Sequence, residues 1–157
     1  MTLPDDPAAP ALHRTGSGPA DLKTLRRAAE AGDAAAQFNL GVLCDSRVDD
    51  NGYDIPGDRT EALHWLLRAA GNDLPRAQLR LAEIYADSPP ASGDRVRAYA
   101  WFVVAIARLT GAQRAAAETG FGVLAGQLSA GRMVKARALA TRLTKSLNSI
   151  SPGPRSA

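Results

Sequence analysis

A chain of 157 residues, 45% of them hydrophobic, has material for one domain with a real core, and its single cysteine, Cys44, excludes an internal disulfide and any cysteine-rich zinc site. The aromatic share is only 5%, which suits closely packed helices with small side chains and suits a wide pocket poorly. The net charge of +3 conceals a division: residues 1–94 carry nine Lys and Arg against fifteen Asp and Glu, net −6, and residues 95–157 carry ten against the single Glu118, net +9. The two ends of the molecule therefore carry opposite fields.

The first segment, MTLPDDPAAPALHRTGSGPADL, has no apolar run behind a positive charge, and Asp5 and Asp6 argue against a transit peptide. Residues 1–20, like 148–157 at the other end, are rich in Pro, Gly and Ser and are expected to be disordered tails around a repeat domain at 21–147. The longest apolar run, Ala98 to Ala107, is about half of what a membrane span needs. The expectation is a soluble protein of the cytoplasm.

From residue 22 onward the chain repeats itself. A shift of 41 residues lays Ala28-Ala29 on Ala69-Ala70, Ala36-Gln37 on Ala77-Gln78, and Leu40 on Leu81; a shift of 36 lays Ala62, Trp65 and Ala69 on Ala98, Trp101 and Ala105. The two shifts differ because the connecting loops differ in length. Each unit reads as a first helix, a loop, a second helix and a tight hinge. Ala36, Leu40 and Leu43 form the apolar stripe of one first helix, and Ala77, Leu81, Ile84 and Tyr85 that of the next. Gly32 suits the left-handed end of a helix, Asp33 the cap of the next, and Pro75 a first helical turn. Asp73 stands where the first hinge has Gly32, so that turn is either strained or relieved by an Asx residue in the left-handed region. Residues 108–128 follow the pattern loosely, and 129–147 read as a capping helix, with Ser129 as N-cap and Met133, Ala136, Ala140 and Leu143 facing inward. A cap of this kind is expected to leave little apolar surface exposed.

The segments AAEAGDAAAQFNLGVL (28–43), EALHWLLRAA (61–70) and RAYAWFVVAIA (97–107) resemble the Sel1-like repeats, relatives of the tetratricopeptide repeats, and the resemblance covers roughly residues 22–147. It implies an all-α fold, a short α-solenoid of antiparallel helix pairs with a C-terminal capping helix. It also implies a non-catalytic module that binds a protein or peptide on its concave face, usually as an adaptor in bacterial signalling, assembly or quality control.

The residues themselves show no catalytic constellation. No serine is set in a motif with His and Asp, there is no phosphate-binding glycine loop, and Gly120, Gly122 and Gly126 lack the strand of a dinucleotide site. His64, Cys44, Trp65 and Trp101 read as surface or packing residues, and no cofactor is expected. The acid-rich loop at 44–62 holds Asp45, Asp49, Asp50, Asn51 and Asp54, but their spacing does not fit a helix-loop-helix calcium site and no glutamate closes it.

Two sets of residues are candidates for binding a partner. On the first helices, Asn39 and Arg80 occupy equivalent positions, as do Val42 and Glu83, and Ala35 and Arg76; these off-stripe side chains could bond an extended peptide or a partner helix. On the capping helix, Arg132, Lys135, Arg142 and Lys145 form one broad basic arc. An acidic protein surface is the expected partner of that arc, and nucleic acid or anionic membrane is the alternative, weakened by the scarcity of aromatics for base stacking. A monomer or weak dimer is expected, because a head-to-tail contact between the oppositely charged ends would be screened at physiological salt.

Overall fold

The structure, a computed structural model, describes residues 19–48, 54–89 and 92–150. Seven helices follow one another through these residues: α1 (Pro19–Glu30), α2 (Ala34–Asp45), α3 (Arg59–Gly71), α4 (Pro75–Ala86), α5 (Asp94–Ile106), α6 (Gly111–Gly126) and α7 (Ala130–Ile150). Helices adjacent in sequence pack against each other from α1 to α6, and α7 packs mainly on α5. The result is an all-α solenoid of antiparallel helix pairs, as the repeat predicts.

The hinges set the pairing. After α1, Gly32 N–H donates to the Ala29 carbonyl and Asp33 N–H to the Ala28 carbonyl, both at 3.1 Å, with Gly32 at φ 102°. These paired bonds are the Schellman closure of a helix end. Asp33 then turns to the next helix, its Oδ1 accepting from Ala36 N–H at 2.6 Å. The hinge after α3 repeats the first half of this scheme, Asp73 N–H to Ala70 and Leu74 N–H to Ala69, but with Asp73 itself at φ 57°. The Asx alternative is therefore the one adopted, and Pro75 opens α4 in its first turn.

Two buried glutamines brace the same hinges from inside. Gln37 Nε2 donates to the Ala29 carbonyl at 3.0 Å and Gln78 Nε2 to the Ala70 carbonyl at 3.3 Å, each eight residues back. Each is a second donor to a carbonyl that already accepts from the hinge backbone, Ala29 from Gly32 N–H and Ala70 from Asp73 N–H, and so uses its other lone pair. Asn72 Nδ2 reaches from the second hinge to Gln37 Oε1 in the first at 3.0 Å.

The larger core gathers Leu66, Leu81, Ala82, Trp101, Phe102 and Val104 between α3, α4 and α5, and a smaller cluster holds Ala29, Ala36, Leu40 and Trp65 between α1, α2 and α3. Trp65 and Trp101 are thus packing residues at equivalent positions. Small residues let the helices approach: a β-carbon on Gly41 would stand 2.7 Å from Leu66 Cγ. Leu43 departs from the stripe expected of it and is 39% exposed, because Gly41 and Gln37 take the buried positions on α2. The acid-rich loop also holds an unexpected ribbon of two three-residue strands, β1 (Ser46–Val48) and β2 (Asp54–Pro56), paired antiparallel with Arg47 opposite Ile55. On α7, Ala136, Ala140 and Leu147 are buried and Met133 and Leu143 half-buried, as a capping helix requires. The helix runs on to Ile150. It does not seal the array: Val134 is 69% exposed and Ile150 61%, and an open groove lies beside it, so more apolar surface stays in water than the capping reading allows. No helix among the described residues is long and apolar enough to cross a membrane.

Candidate functional site

The first candidate set comes together on α2 and α4. Arg76, Arg80 and Glu83 stand at i, i+4 and i+7 of α4, one stripe of that helix, and Asn39 and Val42 occupy the corresponding stripe of α2. Two contacts from the α4 stripe reach α2: the Arg76 guanidinium lies 4.6 Å over the Phe38 ring, and Arg80 Nη2 donates to the Asp45 carboxylate. Asn39, Arg76 and Glu83 are exposed, whereas Val42 is half-buried.

Arg80 is not the free donor that its sequence position implies. Its other nitrogen, Nη1, bonds Glu83 Oε2 at 3.2 Å, so the guanidinium is shared between two carboxylates. Burial works against its charge, but the hydrogen bonds to Asp45 and Glu83 prevail and raise its pKa above the ordinary arginine value. It is a permanent cation that braces α2 against α4.

Glu83 also borders a cleft of about 390 Å³ between α4, α5 and α6, floored by Phe102 and Leu124 and edged by Asp87, Arg95 and Val123. Val123 is 61% exposed there.

The second set lies apart from the first, on α7. Lys135, Arg142 and Lys145 are exposed, and Arg132 is half-buried. Arg137, which the sequence arc leaves out, belongs with them: it and Lys145 edge a groove of about 580 Å³ between α5 and α7. α7 contains no Asp or Glu, and among the described residues Lys135, Arg137, Arg142 and Lys145 have no carboxylate within ion-pair reach. The signal that could have found Arg137 is the acid-free composition of the whole helix rather than the position of one arc.

Cys44 lines a smaller pocket of about 270 Å³ with Leu22, Leu40, Asp58 and Glu61. Burial and then the Glu61 carboxylate push its thiol up to about 11, so at neutral pH it is protonated and a poor nucleophile. His64 is exposed, its ring edge-on to Trp65 at 5.1 Å. No group of His, Cys, Asp and Glu that could hold a metal ion occurs among the described residues. Of the acidic loop, Asp49, Asp50 and Asn51 lie outside them, as do His13 and residues 1–18 and 151–157 of the expected tails.

The class that this architecture defines is a helical-pair repeat array. Residues 34–73 and 75–108 match the family model of the Sel1 repeat, each match covering a first helix, a loop and a second helix, that is α2 with α3 and α4 with α5. Residues 34–108 belong to the Sel1-like repeat family. Repeats of this family generally mediate protein–protein contacts. Among solved structures, the fold is similar to that of a protective antigen present in uropathogenic Escherichia coli strains and displaying an SLR fold, with a TM-score of 0.62 and 24% identity over 87% of this chain. The match spans only 29% of that protein's chain. No curated protein matches the sequence.

Proposed function

We propose that this chain is a non-catalytic adaptor that binds a protein or peptide across the α2–α4 stripes and presents the basic α7 to an acidic surface of its partner. The observation that carries the reading is the contrast between the two sides of each repeat. One side is consumed by packing, as at Leu40, Leu81 and the two tryptophans, while the equivalent stripes expose Asn39, Arg76 and Glu83, a different set of polar groups in each repeat. Repeated backbone with varied exposed side chains is how a solenoid builds a specific surface. Lys135, Arg137, Arg142 and Lys145 of α7 support an acidic partner, because among the described residues no carboxylate pairs with them. In this reading the chain works as a monomer or weak dimer in the cytoplasm of a bacterium.

The test is photo-cross-linking in the source cell with a photoreactive residue placed at Asn39, at Arg76 or, on another helix, at His64. The proposal expects the same protein to be linked from Asn39 and Arg76 and not from His64. Cross-links confined to His64, or equal labelling from all three positions, would refute the α2–α4 face.

A further inference from the structure

We infer that the groove between α5 and α7 is a docking site for a short acidic segment of another protein, in which two carboxylates about 12 Å apart bracket an apolar side chain. The inference deepens the proposed adaptor reading by assigning the partner's chemistry at one named place. The groove holds about 580 Å³ and is lined by Tyr99 and Val103 of α5 and by Ala140, Thr141 and Thr144 of α7. Its floor is firm, since Tyr99 is only 7% exposed and its ring lies 4.8 Å from that of Phe121 on α6. The small side chains on the α7 side leave the volume open, and the apolar floor gives an inserted aliphatic group a dry seat.

The charges define what enters. Arg137 and Lys145 both edge the groove. Eight residues apart on one helix, they stand about 12 Å apart along its axis. Among the described residues no carboxylate lines the groove and neither cation has an acidic partner. An apolar side chain seated between them excludes water from both pairs, which strengthens each attraction over its value in open solvent. Asn148, at the same end as Lys145, adds direction. Its Oδ1 accepts from Arg108 Nη2 at 2.9 Å, which fixes the amide and leaves its N–H groups to donate to a peptide carbonyl. A polyanion that bound by charge alone would use every cation of α7 alike and would have no need of the Tyr99 and Val103 floor.

The test is fluorescence anisotropy of the full chain, at physiological salt, with a labelled hexapeptide of two aspartates, two leucines and two aspartates. Saturable one-to-one binding is expected. Replacing the leucines by serine, or the aspartates by asparagine, should weaken it about tenfold or more. The double reversal Arg137→Glu with Lys145→Glu should remove binding, while Lys135→Glu with Arg142→Glu, the same change of charge outside the groove, should weaken it by less than about threefold. Thr144→Trp, which fills the groove and deletes no core side chain, should block the peptide while the helical circular dichroism is unchanged. Equal losses from the two double reversals, undiminished binding of the serine peptide, or displacement by phosphatidylserine vesicles of matched charge would overturn the inference. Failure here together with intact Asn39 and Arg76 cross-links would remove the groove alone; peptide binding without those cross-links would remove the α2–α4 face alone.

Discussion

Asp73 and Arg108 form an ion pair between successive hinges, with Arg108 Nε 2.5 Å from Asp73 Oδ1. The same oxygen accepts from Gln78 Nε2 at 3.0 Å, and Arg108 continues to Asn148 on α7. A residue held in the left-handed region at φ 57°, at the position where the first hinge uses Gly32, thereby links the hinge after α3 to the end of α5 and, through Arg108, to α7. Asp73→Ala keeps a backbone cost of about 1–2 kcal/mol and loses both partners, whereas Asp73→Gly loses the partners but relieves the backbone. Urea unfolding should therefore rank wild type above Asp73→Gly and Asp73→Gly above Asp73→Ala, the last two separated by about 1 kcal/mol. Equal stability of the two variants would mean that the backbone cost is negligible.

Two helical glycines should respond to alanine with opposite sign. A β-carbon at Gly41 meets Leu66 Cγ at 2.7 Å, and Leu66 is fully buried, so Gly41→Ala should lose about 1–3 kcal/mol by overpacking between α2 and α3. Gly122 on α6 has nothing within 4 Å of that position, and Gly122→Ala should gain about 0.5–1 kcal/mol from the reduced freedom of the unfolded chain. Thermal melts of the two variants check both signs.

The thiol of Cys44 gives a readout of the α2–α3 junction. Its pKa of about 11 lies above the ordinary value of 9.0, so the folded state favours the protonated form. The stabilisation linked to it is complete below about pH 9 and is lost as the pH rises through 11. At pH 8 the folded chain should react with iodoacetamide about a hundredfold more slowly than the urea-unfolded chain, a reflection of its smaller thiolate fraction. Glu61→Gln should raise the folded rate, since the carboxylate contributes to the shift after burial. Equal rates in the folded and unfolded chains would show an open, unperturbed thiol.

The repeat was legible in the sequence because its signal is local. Alanine pairs, tryptophans at equivalent positions and Gly32, Asp33 and Pro75 at the hinges each report on their own turn of chain, and the helices start and stop where those residues direct. The aligned Gln37 and Gln78 were visible as a match, yet their role was not, because a glutamine gains its meaning from carbonyls that only a folded hinge brings to it. For the same reason Arg80 read as available: its partner Asp45 lies 35 residues away, beyond what helical periodicity can report. The groove beside α7 was hidden for a third reason. It depends on α7 packing mainly on α5, which places Arg137 and Lys145 across from Tyr99 and Val103, and that choice of neighbour is not written in the pattern of either helix.

Affinity capture by the full chain from its source cells, at physiological salt with nuclease and detergent present, tests the adaptor reading most directly when the wild type is compared with a variant carrying Arg132→Glu, Lys135→Glu, Arg142→Glu and Lys145→Glu. The wild type is expected to retain a protein at near-stoichiometric yield, and the variant, with the same helical circular dichroism and a melting temperature within a few degrees, is expected to lose it. Equal retention by the two chains, or a wild type that holds only nucleic acid or lipid once those treatments are left out, would contradict it.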